Sequence, residues 1–162
     1  MYEAFLDIET TGLSPLYSDI TVIGVYLVGN GTERMVQLVG EEVTAENLHE
    51  VLQNVHTIYT YNGSRFDLPF IREWLGVDVK ETYNHCDLIY DCWRNNLYGG
   101  LKIVELQLDI TRQLKGIDGF QAVILWWRYR NHGDKDALKL LLHYNREDVM
   151  NLRALKEKLK AL

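Results

Sequence analysis

The sequence is poor in the features that would mark a secreted, stapled or membrane-bound chain. Its only two cysteines, Cys86 and Cys92, form no Cys-x-x-Cys pair and stand near no histidine at finger spacing, so neither a disulfide framework nor a thiolate zinc site is indicated. They read as packing residues. The longest apolar runs, Val22 to Val28 and Ala122 to Trp127, fall far short of the ~20 residues that a membrane-crossing helix needs. The opening Met1-Tyr2-Glu3 has neither the basic nor the apolar region of a signal peptide, and the expectation is a soluble, cytoplasmic protein without membrane contact. Proline is equally scarce: Pro15 and Pro69 mark local turns, and no linker, repeat or low-complexity stretch divides the chain. A single domain over residues 1–162 is expected. An excess of positive charge is also missing. The net charge of −6 argues against an extended basic groove of the kind that holds nucleic acid by its phosphates.

What is present is a core-forming composition, 47% hydrophobic, enough for one packed interior. Strands are expected at Glu3 to Ile8, Ile20 to Val28 and Arg34 to Val39, with Gly29-Asn30-Gly31 turning the second into the third to make an antiparallel meander. A helix from Thr44 to about Gln53, with Glu46 near its positive end, precedes a fourth strand at His56 to Tyr61. Another helix spans Leu68 to Leu75 and closes at Gly76, and Thr82 to Cys86 makes a short fifth strand. Helical spacing then covers Asp87 to Asn96, Lys102 to Leu108, Phe120 to Tyr129 and Asp136 to Leu159. This order predicts an α/β fold, a mixed sheet with helices packed on its faces.

Acidic residues supply the first chemical signal. Asp7 and Glu9 lie two apart at the end of an apolar strand, so the strand's period of two puts both on one face, with Cα atoms about 6 to 7 Å apart. That separation lets two carboxylates converge on ions ~4 Å apart, as a two-metal phosphodiesterase site requires. The pair alone describes a solvated strand end better than a metal site. Asp67 follows a predicted strand in Asn62-Gly63-Ser64-Arg65-Phe66-Asp67, where it either caps the helix with Pro69 in its first turn or serves as a further carboxylate. Tyr144 and Asp148 stand four apart on a helical pattern and share a face. Asp148 sits beside Val149 at the edge of the apolar stripe, which is costly for an acid that has no partner or metal. Asn145 either continues this helix or caps a new one and breaks the stretch in two.

The run Asp7-Ile8-Glu9-Thr10-Thr11-Gly12-Leu13 resembles the first motif of the DEDD, or DnaQ-like, superfamily of 3′-to-5′ exonucleases, and Asn62 to Asp67 resembles its second. Tyr144-Asn145-Arg146-Glu147-Asp148 resembles the third motif of the tyrosine branch, DEDDy. The surrounding words, with Gly100-Leu101-Lys102, are similar to a stand-alone group often called YprB-like. The resemblance implies a ribonuclease-H-like fold and two divalent cations, Mg²⁺ or Mn²⁺, on Asp7, Glu9, Asp67 and Asp148. It also implies a single-stranded nucleic-acid 3′ end as substrate, with the Thr10 backbone and Leu13 side chain at the terminal nucleotide and Asn62 and Phe66 nearby. Tyr144 would align the attacking water. Lys102 and Arg146, beside the motifs, are candidate phosphate contacts. His143 stands five before Asp148, the spacing of the histidine branch, but on a continuous helix it turns about 140° away from Asp148 whereas Tyr144 lies about 40° from it. A fold kept only to hold nucleic acid or a protein partner is the rival reading; loss of a carboxylate would be its mark, and all four are present.

Overall fold

A computed structural model describes residues 1–162. Five strands form one sheet in the order β3-β2-β1-β4-β5: β1 (Tyr2–Thr10), β2 (Ile20–Gly29), β3 (Thr32–Val39), β4 (Val55–Thr60) and β5 (Asn84–Asp87). The first three are an antiparallel meander, and β4 and β5 add in parallel to β1. The turn into β3 places Asn30 at φ 52° and Gly31 at φ 73°, the two left-handed residues a tight hairpin needs to match strand twist. Helices α1 (Ala45–Val51), α2 (Asp67–Leu75), α3 (Val79–Thr82), α4 (Leu88–Arg94), α5 (Leu101–Gln107), α6 (Gly119–His132) and α7 (Lys135–Lys160) cover both faces. None is long and apolar enough to cross a membrane.

Three local expectations change. The fifth strand starts two residues later than expected, because Asp78 accepts from the Lys80 amide and starts the one-turn α3 that uses Val79 to Thr82. Asp67 does not cap α2: it is the helix's first residue, Phe66 holds the cap position, and no side chain bonds there. The stretch around Asn145 does not break, since α7 runs unbroken for 26 residues.

The sheet's two faces differ in kind. One side carries Ala4, Leu6, Ile8, Ile23, Val25 and Leu27 against α1 and α2, in a single aliphatic cluster of 18 buried residues. On the other, Phe5 and Tyr26 pack with α4, α5 and the second half of α7, while Val22 packs with α6 and the first half of α7. The two clusters on this side are separated. Between them, in strand register, lie Asp7, Gly24 and Gln37, and opposite them Asn145 of α7.

Candidate active site

Helix α7 is seated on the sheet by this polar layer. Gly24 faces it, and a Cβ there would fall 2.1 Å from Asn145 Oδ1, so only glycine admits the side chain. Asn145, fully buried, donates from Nδ2 to the Asp7 carbonyl at 3.3 Å and to Glu9 Oε2 at 3.2 Å. Its Oδ1 accepts from Gln37 Nε2 at 3.0 Å, and the same nitrogen reaches the Leu142 carbonyl at 2.8 Å. A mid-helix amide is thereby used to lock α7 across β1 to β3 in place of starting a new helix.

That seating brings Asp148 over β1. Oxygens of Asp7, Glu9 and Asp148 lie within 4.8 Å of one another, with Glu9 and Asp148 buried and Asp7 partly so. The β1–β4 ladder last pairs at Phe5 and Tyr59, so the acids stand past the point where the parallel strands part, at the carboxyl end of β1 where α/β sheets bind ligands. A bulge follows between Glu9 and Thr10, and the loop beyond is held by Thr10 Oγ1 on the Gly12 carbonyl at 2.6 Å. Its Leu13 side chain is 87% exposed.

Asp67 comes to the same strand end from the opposite face of the sheet. Its Oδ2 accepts the Ile8 amide at 3.1 Å, which holds it beside the trio and not within it. The loop before it is braced by Asp87, whose carboxylate accepts from the Asn62 and Ser64 amides at 2.7 and 3.0 Å and also caps α4 through Ile89. Asn62 adopts φ 62°, and its buried Oδ1 has no partner. Phe66 packs against Phe70 with the rings tilted, towards the core.

Tyr144 is buried beside the trio, and Lys102 Nζ donates to its hydroxyl at 2.5 Å from above the ring. Asp148 Oδ1 accepts from Arg112 Nη2 at 2.6 Å, and Glu105 grips the same guanidinium through Nε and Nη2 at 2.8 and 2.7 Å. His143 and Arg146 are not brought here. They lie on the outer side of α7, where His143 contacts Gln113 at 3.2 Å. Arg112 and Asp87 escape a reading of the sequence: Arg112 lies in a segment without periodicity or motif, and Asp87 shows only as a helix-start acid.

Burial pushes all four carboxyls above the usual carboxylate range, and repulsion from neighbouring carboxylates adds to the rise at Asp7, Glu9 and Asp67. At Asp148 the Arg112 and Lys102 charges work against that rise, and at Asp67 the Ile8 amide does. Burial, with Asp148, Glu9 and Asp7 adding, raises the Tyr144 phenol, so it stays protonated at neutral pH. Its oxygen accepts from Lys102, which leaves its own proton to donate. Three crowded, oxygen-only donors that resist ionisation together fit a hard divalent cation, which would relieve the repulsion.

Comparison with known proteins accords with this geometry. A family model described as the RNase_H superfamily matches residues 4–160. The uncharacterized protein YprB of Bacillus subtilis (strain 168) is 26% identical over 171 residues, which cover 93% of this chain and 40% of that protein. This chain thus spans well under half the length of that curated relative. Among solved structures, the family B DNA polymerase of the hyperthermophilic archaeon Pyrobaculum calidifontis superposes with a TM-score of 0.74 at 17% identity, over 98% of this chain and 24% of the polymerase. Brucella melitensis NrnC superposes with a TM-score of 0.61 at 21% identity, over 98% of this chain and 72% of its own. At such identities the likeness is one of fold.

Proposed function

The chain belongs to the RNase H superfamily, and on that premise we propose that it is a 3′-to-5′ exonuclease of the tyrosine branch, hydrolysing terminal phosphodiester bonds of DNA or RNA to nucleoside 5′-monophosphates. The observation that carries the reading is the convergence of Asp7, Glu9 and Asp148 beside a protonated Tyr144, at the carboxyl end of β1. Asp7, Glu9 and Asp148 would hold one divalent cation, Mg²⁺ or Mn²⁺, and Asp67 would support a second shared with Asp7. Such ions acidify water and offset charge on a leaving oxygen. NrnC has been solved with Mg²⁺ and with pGG, which lends the proposal a precedent in the same fold.

The chain's own groups divide the remaining work. Tyr144, fixed by Lys102, donates a hydrogen bond that orients the attacking water; a phenol held this far above neutral pH is a positioning donor and no base. Leu13 projects into solvent just past the acids, where it can wedge against the terminal base of a single strand. The Thr10 backbone would hold the sugar end. The bulge at Glu9 to Thr10 shifts the register of that backbone against β2. Asn62 remains a candidate contact, whereas Phe66 packs towards the core and Arg146 lies on the outer side of α7.

The test is digestion of DNA and RNA oligonucleotides blocked at the 3′ or the 5′ end, with Mg²⁺ or Mn²⁺ and with chelator. Mononucleotide release from 5′-blocked strands alone is expected. Cleavage of 3′-blocked strands would overturn the 3′-to-5′ polarity, and cation-dependent binding without cleavage would convert the reading to a binding module.

A further inference from the structure

Although the chain is acidic, three of its cations gather in one groove of about 590 Å³, formed by α5 and the segment that follows it. Lys102, Arg112 and Lys115 line it, along with Leu106, Ile110 and Leu114. Two acids also line it, Glu105 and Asp109, but Glu105 is spent on two hydrogen bonds to Arg112. The groove joins the carboxylate cluster through its own walls: Lys102 touches Tyr144, and Arg112 touches Asp148.

Arg112 is the decisive residue. Its side chain is 8% exposed, and its Nε and Nη2 edge is fixed by Glu105 and Asp148. Nη1, by contrast, is buried without a hydrogen-bond partner, in a residue that lines the groove. Buried donors without acceptors are rare and costly, and a guanidinium already locked on one edge is matched to an anionic oxygen on the other. Leu106, 79% exposed beside these cations, offers an apolar surface to a sugar or base.

We infer that this groove is a subsite for the strand itself, taking a phosphodiester other than the one that is cut, with Arg112 Nη1, Lys102 and Lys115 as its ligands. The inference rests on the exonuclease reading for the identity of the strand. It assigns substrate preference to chains longer than one nucleotide unit, and it gives an acidic protein a local means of holding phosphate.

Arg112 substitutions would leave Glu105 and Asp148 without their shared cation and disturb the site, so Lys115, which is exposed, carries the test. Fluorescence anisotropy of a labelled oligonucleotide in EDTA should show Lys115→Ala binding about five- to tenfold more weakly than the parent, the scale of one charge-assisted phosphate contact. Lys115→Glu should bind more weakly still. The slope of log affinity against log salt should flatten by about one in Lys115→Ala. Lys80→Ala, on α3, should match the parent. With Mn²⁺, Lys115→Ala should raise KM on an oligonucleotide more than on the p-nitrophenyl ester of thymidine 5′-monophosphate, with little change in kcat. Equal affinity of the parent and Lys115→Glu for the oligonucleotide would overturn the groove assignment even in an active exonuclease. A parent that binds in this Lys115-dependent way but cleaves neither substrate would keep the groove and sink the exonuclease reading.

Discussion

The two faces of the sheet divide stability from chemistry. Under α1 and α2 the strands present an unbroken aliphatic surface, while under α7 the same strands present Asp7, Glu9 and Gln37 between two smaller apolar clusters. A buried layer of acids and amides contributes little net stability and is held in place by its neighbours. The difference teaches that one strand can serve both ends. Because β1 alternates, Leu6 and Ile8 build the core from one side while Asp7 and Glu9 face the other, and a shift of one residue would exchange them.

The sharpest way to probe this contrast is Asp7→Asn. Cleavage should fall by at least about 1,000-fold, as expected when a bridging metal ligand is lost. The fold should survive and, without metal, strengthen. The Asp7 carboxyl titrates above its usual range in the folded chain, so between a pH of ~4 and its folded value the folded form holds a proton that the unfolded form has released. Stability of the metal-free parent therefore falls as pH rises through that window. Asp7→Asn should melt higher than the parent at pH 8, with the gap closing towards pH 4, and Mg²⁺ should raise the parent's Tm more than the variant's. A variant less stable than the parent at pH 8 would contradict the crowding of charge.

Leu48→Ala, on α1 and fully buried in the aliphatic cluster, should behave in the opposite manner. A loss of about 2 to 5 kcal/mol in urea denaturation is expected, with the kcat of the folded fraction near that of the parent. A large fall in kcat would show that the faces are not separable.

Gly24→Ala tests the seam between them. The new methyl meets Asn145 at its amide and must displace α7, at a cost of about 1 to 3 kcal/mol and with loss of activity. Adding Asn145→Ala should recover part of the stability and none of the activity. Simple additivity of the two changes would mean that the contact is not the cause.

The smallest effect belongs to the group proposed to position the water. Tyr144→Phe should lower kcat by about 10- to 100-fold with metal affinity little changed, and His143→Ala should cost no more than about threefold. The reverse pattern would transfer the water's alignment to the outer side of α7 and require that helix to rearrange.

The sheet is legible in the sequence because its signals are local. Alternation marks β1, Asn30-Gly31 marks the hairpin, and the apolar stripe of α7 marks its inward face. The shared face of Asp7 and Glu9 follows from the same alternation, and that of Tyr144 and Asp148 from the helical repeat. Arg112 was hidden because its partners lie 7 and 36 residues away and its own segment has no regular structure. The open question at Asn145 illustrates the same limit. An asparagine in a helical pattern invites a break on local grounds, and only the gap left by Gly24, far away in the chain, makes a continuous helix the better use of its amide.

The bonds from Asn145 to Asp7 and Glu9 span 138 and 136 residues. Contacts so distant in sequence carry the largest loop-closure cost and form late, and α7 is synthesised after every strand it joins. On the ribosome, then, Asp7 and Glu9 emerge early but stay without Asp148 until nearly the whole domain has been made. A chain that stopped before α7 would carry Asp7 and Glu9 without Asp148, and the proposed metal site would be incomplete. On the proposed reading the carboxylate cluster would thus be completed only when α7 docks.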